Sequence, residues 1–373
     1  MRTLRFPGTL FLALVALPGI ALAQDPDPAG GGEPAGEEKP EFEELHGLRV
    51  DLRLPKGEPP EGGRSLLIFL HSREGSGSEI VEHLAPLVDR GFVVAAPWST
   101  GDNWNDADIE AVENIARDLV ARFQVPEDRR HLGGMWYGAR HLQRIAFRDD
   151  LRFRTCTWVS WSFAGGTTPK WVREHLSGLF LWGEDEGKSR VDRYLKGLDL
   201  LGEKARTAVG KAEPGLGRNE KDEPEFPVKL VPFYGYFLEC MEGRFTPGRD
   251  LSFEWLDSLP EGVAAMKEGK TGGLVYVHDP AGDAPTMERT KTLQNEIFFD
   301  RIVRHFAGQL VPVRLEKAAA KELLEKEKVK ELPALLVFKK GGKEVLRVLS
   351  GEIDVKKLVP VLRAASPDPD LPK

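Results

Sequence analysis

Along most of this chain, short apolar runs alternate with longer stretches in which apolar residues recur every three or four positions. From residue 48 the pattern predicts strands at 48–54, 65–70 and 92–96, the last two apolar throughout, as strands buried on both faces are. A helix follows at 79–88. Ile109, Val112, Ile115, Ala116, Leu119, Val120 and Phe123 mark a second helix after the capping candidates Asp106 and Asp108. Further strands are predicted at 130–133, 155–161, 178–182 and 228–233, with helices at 139–147 and 190–209 and a charged Gly/Pro-containing insert at 211–225. This is an α/β pattern: a doubly wound, mostly parallel sheet with its ligand site at the strands' carboxyl ends.

After a linker at 246–249 the pattern restarts. Helices are predicted at 255–267, 287–307, 318–327 and 354–365, and strands at 274–278, 310–315, 335–338 and 344–349. A Gly341-Gly342 turn joins the last two strands. The expected boundaries are a first domain at 45–248, a second at 249–366 and a flexible tail at 367–373.

The remaining N-terminal stretch has a different composition. Arg2 and Arg5 precede an apolar run at 10–20 and the small-x-small triplet Ala21-Leu22-Ala23, a cleaved secretory signal at 1–23. The Pro/Gly/Glu-rich residues 24–44 read as a disordered spacer. The mature protein is thus expected outside the cytoplasm, periplasmic or extracellular, with no membrane span. Of 373 residues, 41% are hydrophobic and 30% charged, and the net charge of −7 argues against a nucleic-acid partner. Export makes a disulfide between the two cysteines, Cys156 and Cys240, chemically accessible; two buried free thiols are the reading preferred.

The candidate chemistry centres on Gly134-Met135-Trp136-Tyr137-Gly138, a strand-to-helix turn with glycines on both sides of a central residue. Segment 48–245 resembles an α/β-hydrolase of the esterase or dienelactone-hydrolase kind. The resemblance implies a nucleophile at the centre of this turn, an oxyanion loop at His71-Ser72-Arg73-Glu74-Gly75-Ser76-Gly77, an acid at Gly183-Glu184-Asp185, and a histidine in the loop 233–237. The triad-equivalent positions here are Trp136, Asp185 and Tyr236. An indole has no nucleophilic lone pair, and a phenol is a poor base near neutrality. None of the eight histidines lies between His175 and His278. Ser160, Ser162 and His141 are the residues from which a rearranged triad would have to be built. Trp98, Trp104, Trp136, Tyr137, Trp161, Trp182, Tyr234 and Tyr236 are predicted near the strand ends, either plugging the old pocket or lining an aromatic ligand cleft.

Segment 253–365 resembles a thioredoxin fold, with Pro333 at the family's cis-proline position. The family's Cys-x-x-Cys segment reads Asp279-Pro280-Ala281-Gly282-Asp283-Ala284-Pro285, and no cysteine follows Cys240. Asp279 and Asp283 read as turn-formers, not metal ligands. The expectation is an exported pseudo-hydrolase joined to a redox-inactive thioredoxin-like domain, without cofactor or metal, serving binding or scaffolding. Its partner is expected to be a protein or an aromatic-stacking extracellular ligand such as a glycan. The alternative is an esterase or peptidase-like hydrolase with a non-standard site.

Overall fold

Strands of five to seven residues build the first sheet. Its eight strands are β1 (Glu41–Leu45), β2 (Leu48–Arg53), β3 (Ser65–Leu70), β4 (Phe92–Pro97), β5 (Arg130–Met135), β6 (Thr155–Val159), β7 (Ser177–Gly183) and β8 (Thr207–Glu213). They lie in the order β1-β2-β4-β3-β5-β6-β7-β8, parallel from β4 to β8, with β2 antiparallel to both β1 and β4. The computed structural model describes residues 41–73, 75–213, 216, 230–245 and 249–370. The expected signal at 1–23 lies outside the described residues.

Alternation along β3 divides the core. Leu66, Ile68 and Leu70 face a cluster shared with α3 (Asp106–Arg122), α4 (Tyr137–Ala146), the short α5 (Val172–His175) and α6 (Lys188–Gly202). Leu67 and Phe69 face the opposite cluster, built with α1 (Gly77–His83), α2 (Ala85–Val88) and α7 (Leu230–Met241). Helices therefore cover both faces, and the strand carboxyl ends open onto one edge.

Three expectations change in this sheet. Residues 41–45 form an edge strand, not disordered spacer. They pair with β2 through a two-residue turn whose His46 (φ 51°) and Gly47 (φ 79°) both take the left-handed conformation such hairpins need. The cap of α3 is Asn105, with Asp108 completing a capping box. Most consequentially, the last strand is β8, within and beyond the region expected to end a helix, while the expected strand at 228–233 is helix α7 from Leu230 onward. All but Pro232 of the α7 residues from Val231 to Met241 are buried, so the apolar character that suggests a strand belongs to a helix enclosed on all sides.

The second sheet has four strands, β9 (Gly273–His278), β10 (Val311–Glu316), β11 (Ala334–Phe338) and β12 (Val345–Ser350), in the order β10-β9-β11-β12. β10 runs parallel to β9, and β11 antiparallel to β9 and β12. Around it lie α8 (Leu259–Glu268), α9 (Ala284–Asn295), α10 (Arg301–Ala307), α11 (Lys321–Lys326) and α12 (Val355–Ala365). The single helix expected over 287–307 is broken. A 3₁₀ turn, Ile297–Phe299, intervenes, and Asp300 starts α10 afresh by accepting the Ile302 and Val303 amides.

That break serves packing between the sheets. Phe299 is fully buried in the first sheet's core, with ring centres 5.7–6.4 Å from Phe233, Tyr236 and Phe237. Arg206 pairs with Glu296 at 3.1 Å and Arg301 with Asp199 across the same junction. The two sheets belong to one compact unit. Among the described residues no helix is long and apolar enough to cross a membrane.

Candidate functional site

β5 ends at Met135, and α4 begins at Tyr137. Trp136 between them sits at φ 45°, ψ −108°, a region that costs a non-glycine residue about 1–3 kcal/mol. Its amide donates to the Val159 carbonyl at 2.9 Å, and its carbonyl accepts the Arg140 amide at 3.1 Å, so strand and helix both hold the strained residue. A side chain on Gly138 would lie 2.4 Å from the His71 carbonyl oxygen and 2.6 Å from that of Leu70. Only glycine lets α4 approach the end of β3 this closely. The elbow is therefore formed in full, with an indole where a nucleophile would stand.

An imidazole does reach the strand ends, which sequence reasoning assigned only to a loop. His71, directly after β3, is 2% exposed. Its Nε2 lies 3.2 Å from the Ser99 amide and its Nδ1 2.6 Å from the Ser72 carbonyl. An amide only donates, so Nε2 is the acceptor and Nδ1 carries the proton. Burial pushes its pKa below the ordinary 6.5, against the opposing pull of the Ser72 carbonyl and Asp108. The neutral ring has its one basic lone pair occupied by the backbone, and it has none left to activate a hydroxyl.

The other two expected positions, Asp185 and Tyr236, differ in burial. Asp185 is exposed, whereas the adjacent Glu186 side chain is almost wholly buried beside Tyr194, whose hydroxyl is 3.4 Å from Oε1. Tyr236 belongs to no loop. It lies in α7, 4% exposed, with its hydroxyl 3.5 Å from Asp250 and its pKa driven upward by burial. Ser160 follows β6 at φ 51°, with Oγ buried and unpartnered among the described residues. Ser162 donates to the Arg193 carbonyl at 2.7 Å. His141 is half-buried on α4.

The eight aromatic residues divide into two groups. Trp136, Tyr137 and Trp161 are half-buried and form a continuous strip, with successive ring centres 4.9 and 6.3 Å apart. The others do not join them in one crevice. Trp104 is buried and donates to the His71 carbonyl at 3.0 Å. Trp98 donates to the buried Asp51 and faces the Arg49 guanidinium at 4.6 Å. Trp182 is buried 6.1 Å from Tyr194, and Tyr234 and Tyr236 sit inside the α7 interface. Predicting all eight together relied on a strand at 228–233; a helix there turns both tyrosines into the core.

Two features had no signal in the sequence. At the amino ends of the strands, His131 bridges Thr155 Oγ1 (2.8 Å) and Glu242 Oε1 (2.6 Å), and Arg244 holds the other Glu242 oxygen at 2.7 Å. This hydroxyl–imidazole–carboxylate chain is wholly enclosed and ties the end of α7 under the sheet. Arg304 is half-buried, donating to the Ser252 carbonyl at 2.6 Å, and loss of water around it lowers its pKa to about 10. Both cysteines are free. Cys156 faces the cluster containing α3 and α4, and Cys240 the cluster on the opposite side of the sheet. Asp279 pairs with Lys317 at 2.8 Å, and Asp283 caps α9. The Leu332–Pro333 bond is cis.

No family model matches this chain, and no curated protein does. Among solved structures, TT1662 from Thermus thermophilus aligns at 19% identity, covering 54% of this chain and 97% of that one, with a TM-score of 0.41. An esterase from the planctomycete Thermogutta terrifontis aligns at 13% identity over 57% and 96%, with a TM-score of 0.40. A puromycin-hydrolyzing peptidase of Mycobacterium tuberculosis aligns at 15% identity over 56% and 41%, with a TM-score of 0.43. What identifies the fold is the mostly parallel eight-stranded sheet with its strand–elbow–helix turn. The first sheet has the α/β-hydrolase fold.

Proposed function

We propose that this chain is an exported, non-catalytic binding protein: a pseudo-hydrolase that presents the strip Trp136–Tyr137–Trp161 to a partner or to a flat extracellular ligand such as a glycan. The observation that carries this reading is an indole at the elbow together with an imidazole whose two nitrogens are both committed to backbone. Serine-type hydrolysis needs a nucleophile and a free base, and among the described residues neither stands at the elbow or on His71. Aromatic faces, in contrast, stack on sugar rings and hold them by apolar contact. The second sheet is read as thioredoxin-like, on its β10-β9-β11-β12 order and on Pro333 immediately before β11. Without cysteines it serves as structure only.

Activated-ester hydrolysis tests the catalytic side. The wild type is expected at the buffer rate, unchanged by Asp185→Ala; turnover abolished by that substitution would restore the hydrolase reading. On the binding side, soluble glycans are expected to shift tryptophan fluorescence, and Trp136→Ala to diminish the shift.

A further inference from the structure

At the amino ends of the parallel strands, the far end of the sheet from the elbow, a cleft of about 310 Å³ lies between the two halves of the molecule. One wall belongs to the first sheet. Asp128, Arg154, His175 and Arg206 come from the segments leading into β5, β6, β7 and β8, and the end of α7 adjoins them. The other wall is a single face of α9, with Glu288, Lys291, Thr292 and Asn295 at helical spacing.

Arg154 is the unusual group in this lining. It is 6% exposed, its Nε donates to the Met241 carbonyl at 2.7 Å, and its Nη1 donates to the His175 carbonyl. Among the described residues no carboxylate pairs with it, and its Nη2 has no partner. A charge this deeply buried is costly unless an opposite charge stands beside it. Lys291, half-buried on the facing helix, also has no ion pair among the described residues. Asn295 is 7% exposed, and its buried Nδ2 has no acceptor among them. The acids of the cleft do not answer these donors. Glu242 is held by His131 and Arg244, and Glu296 by Arg206. Asp128 and Glu288 are exposed to water and pair with no cation among the described residues.

We infer that this cleft binds a tetrahedral oxyanion such as a phosphate group, held by Arg154 from the first sheet and by Lys291 and Asn295 from α9. Guanidinium and ammonium groups are the usual partners of such ions. A carboxylate presents two oxygens in one plane. A tetrahedral ion turns oxygens toward both walls at once, and here the unused donors stand on both walls. Bound there, the ion ties α9 to the strand ends of the first sheet. The strip at Trp136 lies at the other end of that sheet, so either site can fail without the other.

Titration calorimetry of the full chain tests this with sodium phosphate, phenyl phosphate, sodium acetate and sodium chloride, all at one ionic strength so that general screening is constant. Phosphate is expected to bind saturably, acetate about tenfold more weakly or worse, and chloride not at all. Phenyl phosphate binding more tightly than phosphate identifies an organic phosphate as the occupant, and weaker binding identifies the inorganic ion. Arg154→Met is expected to abolish phosphate binding and Lys291→Gln to weaken it about tenfold, while Trp136→Ala leaves it unchanged. Lys291 is half-buried and unpaired, so its variant decides the matter alone if Arg154→Met does not fold by circular dichroism. His175 supplies a local reporter. Loss of water holds its pKa below 6.5, and the Arg154 charge adds to that, so phosphate beside Arg154 should raise the midpoint of its ring by proton NMR. No saturable phosphate binding, acetate bound as tightly as phosphate, or wild-type binding by a folded Lys291→Gln would overturn the assignment.

Discussion

A tryptophan held at φ 45° and a histidine whose lone pair is taken by the Ser99 amide are single-residue facts, and the proposed non-catalytic role rests on them. The same burial that closes His71 sets a pH dependence. His71, His141, His175 and His278 all have pKa values lowered below 6.5, in each case first by loss of water around the ring. A group depressed in the fold contributes stability that is present above its unfolded value and lost as pH falls through the folded one. The urea midpoint is therefore expected to drop as pH is lowered from about 7 to 5. By proton NMR, the His71 ring should titrate below 6.5; a midpoint at or above that value would contradict the assignment of Nε2 as a capped acceptor.

At the level of elements, the elbow was legible because its glycines have a local steric purpose. Gly138 packs against two carbonyl oxygens of the β3 end, and neither belongs to a side chain that can swing aside. Gly138→Ala is expected to destabilise the fold by about 1–3 kcal/mol, read as a lower denaturation midpoint with no change in slope. The final strand and helix were not legible. β8 reads Thr-Ala-Val-Gly-Lys-Ala-Glu, poor in strand formers, and forms by pairing along β7, where Gly210 makes room beneath Trp182. α7 is rich in Phe and Tyr and carries Pro232 and Gly235, so local preference opposes a helix that tertiary burial imposes. The length of its apolar run, nine residues from Leu230 to Leu238, was the available hint, since buried strands are usually shorter. With α7 misread, two tyrosines were assigned to a cleft that they do not reach. Long-range pairs such as His131 with Glu242, 111 residues apart, leave no mark in any local pattern.

For the whole molecule, the decisive residue is Phe299. It comes from the 3₁₀ turn before α10 yet completes the aromatic core beneath α7, among Phe233, Tyr236 and Phe237. Phe299→Ala is expected to cost about 3–5 kcal/mol and to split one calorimetric unfolding peak into two, as the sheets lose their shared core. A single peak moved to lower temperature would mean that the Arg206–Glu296 and Arg301–Asp199 pairs suffice to keep them joined.

The insertion of Phe299 also has a bearing on how the chain is made. A ribosome delivers the eight strands and α7 well before it delivers this ring, so the first half must wait with an unfilled aromatic socket facing water. A chain cut short after α7 should stick to its neighbours or to holding chaperones, and for this protein the carboxyl-terminal half doubles as the stopper that makes the amino-terminal half fit to be released.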